Sequence, residues 1–192
     1  MKHLTVAAAL LSVLSLTAGE IALKGDFAAL QKDKYPVGWY NNTWGGYLPA
    51  PKFEIVKEKD FNAVHFTEIN GKSGFGWSSK ARPAAKAGDT VRVTAKVKGT
   101  GKAWFGLQSF TDKGRWIMVL PMTYYDLTPE WKEVKFDLPV EDRHKTLKTG
   151  IIMVTFGANS KADFYIGDLK GEVIPAAPAA APAAPAAPAP AK

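Results

Sequence analysis

The amino-acid sequence predicts an all-β protein, a two-sheet antiparallel β-sandwich of jelly-roll type. Three observations carry that expectation. Short runs of apolar and polar residues alternate with period two. Clusters of Gly, Pro, Asn and Asp separate these runs like turns. No stretch sustains apolar residues at the i, i+3, i+4, i+7 spacing of a surface helix. Many short strands with turns between them imply two packed sheets, lying about 10 Å apart.

The elements follow in order. Phe53 to Lys57 and Asn62 to Thr67 are β-rich runs divided by a turn over 57–60. Gly74 to Ser79 reads as a glycine-rich strand. Val91, Val93, Ala95 and Val97 alternate with Arg92, Thr94, Lys96 and Lys98, the pattern of a half-buried strand. Ala103 to Phe110 and Trp116 to Leu120 follow, and Pro121 ends the second. Lys132 to Leu138 alternates again, Ile151 to Phe156 is apolar enough for a central strand, and Phe164 to Val173 closes the domain. Two segments, 27–34 and 141–148, have room for one or two helical turns.

Not all of the 192 residues belong to this domain. Met1-Lys2-His3 is a basic start, Leu4 to Leu16 is almost wholly apolar, and Ser15 to Gly19 supplies small residues. This is the layout of a secretory signal, bacterial in form, with cleavage expected after Ala18 or Gly19. The apolar run, about 13 residues, is shorter than the roughly 20 that cross a bilayer. Residues 1–19 therefore read as a signal peptide, 20–174 as one β-sandwich, and 175–192 as a Pro/Ala-rich tail. Proline repeatedly removes backbone donors from the tail, which predicts an extended spacer or stalk, partly polyproline II. The protein is expected to be secreted or periplasmic, with no membrane span.

Composition excludes several classes. The absence of cysteine rules out disulfides, thiolate metal sites, cysteine nucleophiles and a lipid-modified cysteine. The net charge of +7 is spread as single lysines at strand edges and loops, with no run of five like charges. That pattern keeps strand edges soluble and gives no reason to expect nucleic acid. No nucleophile elbow, phosphate loop or dinucleotide fingerprint occurs. His65 and His144 lack metal-ligand spacing. Glu54, Glu68, Asp126, Glu130 and Glu133 are carboxylates of the type a glycosidase needs, but they sit in lysine-rich or turn contexts. The protein is read as a non-enzyme with no cofactor beyond a structural calcium, and its oligomeric state is not legible.

Four segments in order resemble the carbohydrate-binding modules of families 4, 9, 16 and 22, the group related to galactose-binding-like jelly rolls. Gly25-Asp26-Phe27 with Pro36-Val37-Gly38-Trp39 is similar to that group's opening strand and glycine-tryptophan step. Pro83 to Thr94, Thr128 to Lys132 and Tyr165 to Lys170 resemble three later steps, and the likeness covers most of 20–174. The resemblance implies a jelly roll that binds sugar. It places Trp39 and Trp131 in packing positions and marks Asp26 and Asp168 as the acidic residues for a structural calcium. Ala28 and Gly167 stand where the group often has carboxylates.

Binding has a physical basis beside the resemblance. A sugar ring presents an apolar C–H face to an aromatic ring and a rim of hydroxyls to polar side chains. The chain has six Trp, a surplus over core needs. If Phe105 and Leu107 face inward, Trp104 and Gln108 face outward across Gly106. The same alternation turns Trp116 outward. Trp77 is a further platform, Arg82 and Arg115 are donors, and Tyr124 with Tyr125 form a wall. The expected ligand is a polysaccharide or cell-surface glycan. The rival readings are a structural or adhesive surface protein on the same fold and a small glycan-active hydrolase or lyase.

Overall fold

The computed structural model describes residues 18–32, 34–42, 51–70, 75–111, 113–119, 122–141, 150–158 and 161–177. The signal segment up to residue 17, the tail from residue 178 and the turn expected over 141–148, except residue 141, lie outside them.

Thirteen strands and no helix occur among the described residues. They are β1 (Gly19–Gly25), β2 (Trp39–Asn41), β3 (Lys52–Lys57), β4 (Asn62–Asn70), β5 (Phe75–Ser79), β6 (Ala84–Ala85) and β7 (Thr90–Thr100). There follow β8 (Lys102–Phe110), β9 (Trp116–Val119), β10 (Thr123–Asp126), β11 (Lys132–Pro139), β12 (Gly150–Ala158) and β13 (Lys161–Ile174). Every pairing is antiparallel. One sheet has six strands in the order β11-β7-β13-β4-β3, with β1 also on β13. The other has seven, β10-β8-β12-β5-β2, with β9 on β8 and β6 on β12. The result is a two-sheet β-sandwich of jelly-roll type.

The alternation seen in the sequence decides which face of each strand is dry. In β7 and β11 the apolar set points inward and the charged set outward. Phe105 of the seven-stranded sheet stacks on Phe136 of the six-stranded one with centroids 4.5 Å apart. Trp77 meets Phe53 and Phe66 edge-on at 4.8 and 4.7 Å. These rings fill the layer between the sheets, where burial of apolar area drives folding.

The helical turn expected over 27–34 does not form. Phe27 and Lys34 have positive φ, and Leu30 bridges Pro36 instead. Gln31 holds the loop, its Nε2 donating to the carbonyls of Pro36 at 2.7 Å and Trp39 at 2.8 Å. Trp39 forms β2 and is buried between the sheets. Trp131 packs differently from the expectation. It lies on the outer face of the six-stranded sheet, edge-on to Phe61 and Tyr165, with Lys98 Nζ 4.7 Å above its ring.

Candidate functional site

The outer face of the seven-stranded sheet gathers most of the residues singled out from the sequence. Register assigns the faces. Tyr124 pairs with Trp104, Gln108 with Met153, and Trp116 with Phe110. Phe105, Leu107 and Ala103 belong to the inner core, so Trp104, Gly106, Gln108 and Phe110 point outward. Arg82 places its guanidinium carbon 4.6 Å from the Phe110 centroid, which puts it on the same face.

Outward direction did not bring exposure. Trp104 and Gln108 face away from the core, yet both are buried. Gly157 pairs with Trp104 on one side and Gly76 on the other. Two residues without side chains leave a trough in the sheet surface. The indole fills it, with its outer carbons 3.2–3.3 Å from where a Cβ of Gly76 would sit. The gap expected at Gly106 is also filled, since Met122 Cγ lies 3.3 Å from the corresponding Cβ position. Trp104 is therefore a packed floor and not an open platform.

Beneath and beside that floor runs a polar chain that sequence reasoning missed. Asn42 Nδ2 and Gln108 Nε2 donate to Ser78 Oγ at 3.0 and 3.3 Å. Ser78 Oγ donates to Thr155 Oγ1 at 3.1 Å, and Thr155 Oγ1 donates to the Trp77 carbonyl at 2.9 Å. Ser78 and Thr155 are fully buried, and this chain satisfies them. The signal for it was present: Ser78 and Thr155 are small hydroxyl residues on the outward phase of otherwise apolar strands.

Two of the expected residues belong elsewhere. Trp77 is buried in the core, because Gly76 and Ser78 occupy the outward positions of β5 and alternation turns residue 77 inward. Tyr125 turns inward as well and packs edge-on against Phe136 at 6.1 Å. Arg115 is exposed at the β8–β9 turn, where its backbone pairs with Thr111. Trp116, 56% exposed, and Tyr124, 50% exposed, are the large rings this face presents to solvent among the described residues.

Asp26 and Asp168, the acidic residues marked for calcium, form no cation site with the other described residues. Gly25 pairs with Leu169, which sets Asp26 beside Asp168. The Asp168 carboxylate, however, already faces two ammonium groups, Lys170 Nζ at 3.0 Å and Lys96 Nζ at 3.7 Å. A side chain at position 167 would meet Phe61 at 2.7 Å and the Asn62 carbonyl at 2.8 Å. The space for another carboxylate is taken by a ring, and Lys96 sits 4.5 Å above that ring. Calcium needs six to eight oxygens, and these surroundings do not fit it. Among the described residues no group of three His, Asp or Glu is placed to hold a metal.

The carboxylates considered for glycoside chemistry are dispersed. Glu54 contacts His65, Glu68 pairs with Lys52, and Asp126 pairs with Lys102. His65 stacks on Tyr165 with centroids 3.7 Å apart, and its Nε2 lies 2.9 Å from Asp163. Burial, with Asp163, Glu54 and Glu58 nearby, raises the Tyr165 hydroxyl above its ordinary value. This cluster lies on the outer face of the six-stranded sheet, across the core from Trp116 and Tyr124.

No family model matches the chain, and no curated protein matches it. Solved structures do. A Stig cyclase from Fischerella sp. TAU superposes with a TM-score of 0.57 at 12% identity, covering 84% of this chain and all of that one. An arabinose-bound α-L-arabinofuranosidase superposes at 0.53 and 11% identity. The match covers 82% of this chain and 27% of the arabinofuranosidase, so the chain spans about a quarter of that enzyme's length. A CBM22-1 xylan-binding domain from Paenibacillus barcinonensis is also similar, with a TM-score of 0.49, 15% identity and coverage of 83% and 98%. The matches above a score of 0.5 establish the sandwich fold, and at these identities they establish nothing about its site.

Proposed function

We propose that this protein is an exported, non-catalytic carbohydrate-binding module that takes a polysaccharide on the outer face of its seven-stranded sheet. One observation carries the reading. Trp116 and Tyr124 lie exposed on the same face, paired with Phe110 and Trp104 of one strand. Six positions along β8 separate those two partners, about 20 Å at roughly 3.4 Å per residue. Two exposed rings at that spacing suit an extended chain of several sugars. A ring stacked at each end would hold the chain. Export rests on the signal pattern of residues 1–19 and is checked by the mass of the protein recovered outside the cytoplasm.

Affinity electrophoresis of the full chain through gels containing xylan, mixed-linkage β-glucan or polygalacturonate tests the binding. Retardation by at least one glycan is expected. Trp116→Ala and Tyr124→Ala should each weaken it roughly two- to tenfold, in line with about 0.5–1.5 kcal/mol per aromatic contact beyond burial. No retardation in any gel would leave the rival reading, a structural or adhesive module. The burial of Trp77 and Trp104, which turns two large rings to packing, favours that rival.

A further inference from the structure

The two sheets differ sharply in their number of carboxylates. The strands of the seven-stranded sheet carry a single carboxylate, Asp126, and it is paired with Lys102 at 3.2 Å. The strands of the six-stranded sheet carry eight: one each on β1, β3 and β4, two on β11 and three on β13. The same six strands also carry ten Lys and Arg, against one Lys on the seven-stranded sheet, so carboxylates and their counter-charges are concentrated together on one side of the sandwich.

At one end of the carboxylate-poor face stands Arg82. It is exposed, and none of the ion pairs among the described residues involves it. Its guanidinium lies over the Phe110 ring. Phe110 is also the register partner of Trp116, and Arg115 precedes Trp116 in the chain. A guanidinium stacked on an aromatic face is oriented before any ligand arrives, while its planar fork of donors still points outward. That fork matches a carboxylate in a bidentate way, which a neutral hydroxyl rim does not require.

We propose that the glycan bound on this face is acidic, a uronate-bearing polysaccharide whose ring stacks on Trp116 while Arg82 takes its carboxylate. The inference rests on the carbohydrate-binding reading and specifies its ligand class. Five of the ten cations on the strands of the six-stranded sheet are paired with carboxylates, whereas Arg82 has no ion-pair partner among the described residues and is already oriented by the ring beneath it. Arg82 sets the specificity, and Trp116 and Tyr124 supply contact area common to acidic and neutral chains.

The test compares polygalacturonate with its methyl ester, which keeps the same chain and caps the carboxylates. Dissociation constants come from affinity electrophoresis of the full chain at fixed ionic strength. The free acid should bind about tenfold more tightly, as expected for a charge-assisted hydrogen bond. Arg82→Gln should remove most of that difference, with melting temperature and near-ultraviolet circular dichroism unchanged. Lys57→Gln, which removes one exposed charge from the six-stranded sheet, should leave the difference intact. Equal binding of acid and ester, or retardation by neutral xylan or β-glucan alone, overturns the acidic ligand while leaving glycan binding in place. A preference that survives Arg82→Gln, or that falls as much with Lys57→Gln, overturns the role of Arg82 in favour of diffuse charge. Failure to bind any of the four glycans overturns carbohydrate binding itself.

Discussion

Trp77, Trp104 and Trp116 are one residue type in three environments. Trp77 sits among Tyr35, Phe53, Phe66 and Phe156 between the sheets. Trp77→Ala should therefore cost about 3–5 kcal/mol in urea unfolding. Trp116→Ala removes a ring that is already more than half in water, so its cost should stay within roughly 0.5 kcal/mol. Only the second variant reports on binding without reporting on folding. Asp137 offers a test by pH. Arg92 donates to both of its carboxylate oxygens, at 2.7 and 3.0 Å, and holds it below its ordinary value of 3.8. A lowered folded-state pKa contributes stability that is complete above the ordinary value and lost as pH falls below it. Asp137→Asn should flatten that acid limb in denaturation profiles from pH 5 to 2. The effect is small, because the Asp137 side chain is half in water.

At the scale of the element, β13 organises the six-stranded sheet. It pairs with β7 along most of its length, and its other edge is shared by β4 over the first half and β1 over the second. The shift between partners falls at Gly167 to Lys170, where Asp168 takes a φ of +48°. Two close approaches depend on glycine. A Cβ at Gly25 would overlap the Leu169 carbonyl, and one at Gly99, with φ of +142°, would overlap the Asp163 carbonyl. Gly99→Ala should separate β7 from the start of β13. Faster amide hydrogen exchange at Phe164 and Ile166, with β12 unaffected, is the measurement that shows it. The longer alternating strands, β7 and β11, were legible because period two is unambiguous over eight residues or more. Strands β2 and β10 were not, since three or four residues carry no period, and partners distant in sequence hold them in place.

For the whole molecule, which charges are paired and which stand free matters more than the net value. A ligand drawn by Arg82 and the carboxylate-poor face should lose affinity as salt rises, and one held by ring contacts alone should not. The paired lysines at Asp168 carry a prediction of their own. Lys96 and Lys170 supply positive charge beside Asp168 at the surface, so neither added calcium nor EDTA should move the melting temperature. A shift of several degrees with calcium would show that the lysines yield to the ion. Tyr165 contributes at the alkaline end. Its raised pKa means that the folded state keeps the phenol proton longer, so this contribution is present below pH 10 and declines as pH rises beyond it.

By itself the sequence determined the sandwich, most strand positions and the outward phase of Trp104, Gln108 and Trp116, because side-chain direction in a strand follows from alternation alone. Only the tertiary structure decided which outward residues meet solvent. Gly76 and Gly157 lie 81 positions apart, and their pairing opens the trough that buries Trp104. Phe61 closes the space beside Gly167, and Lys96 reaches Asp168 from another strand. Exposure and ion pairing depend on residues brought together across sheets, and that proximity is not written in any local pattern.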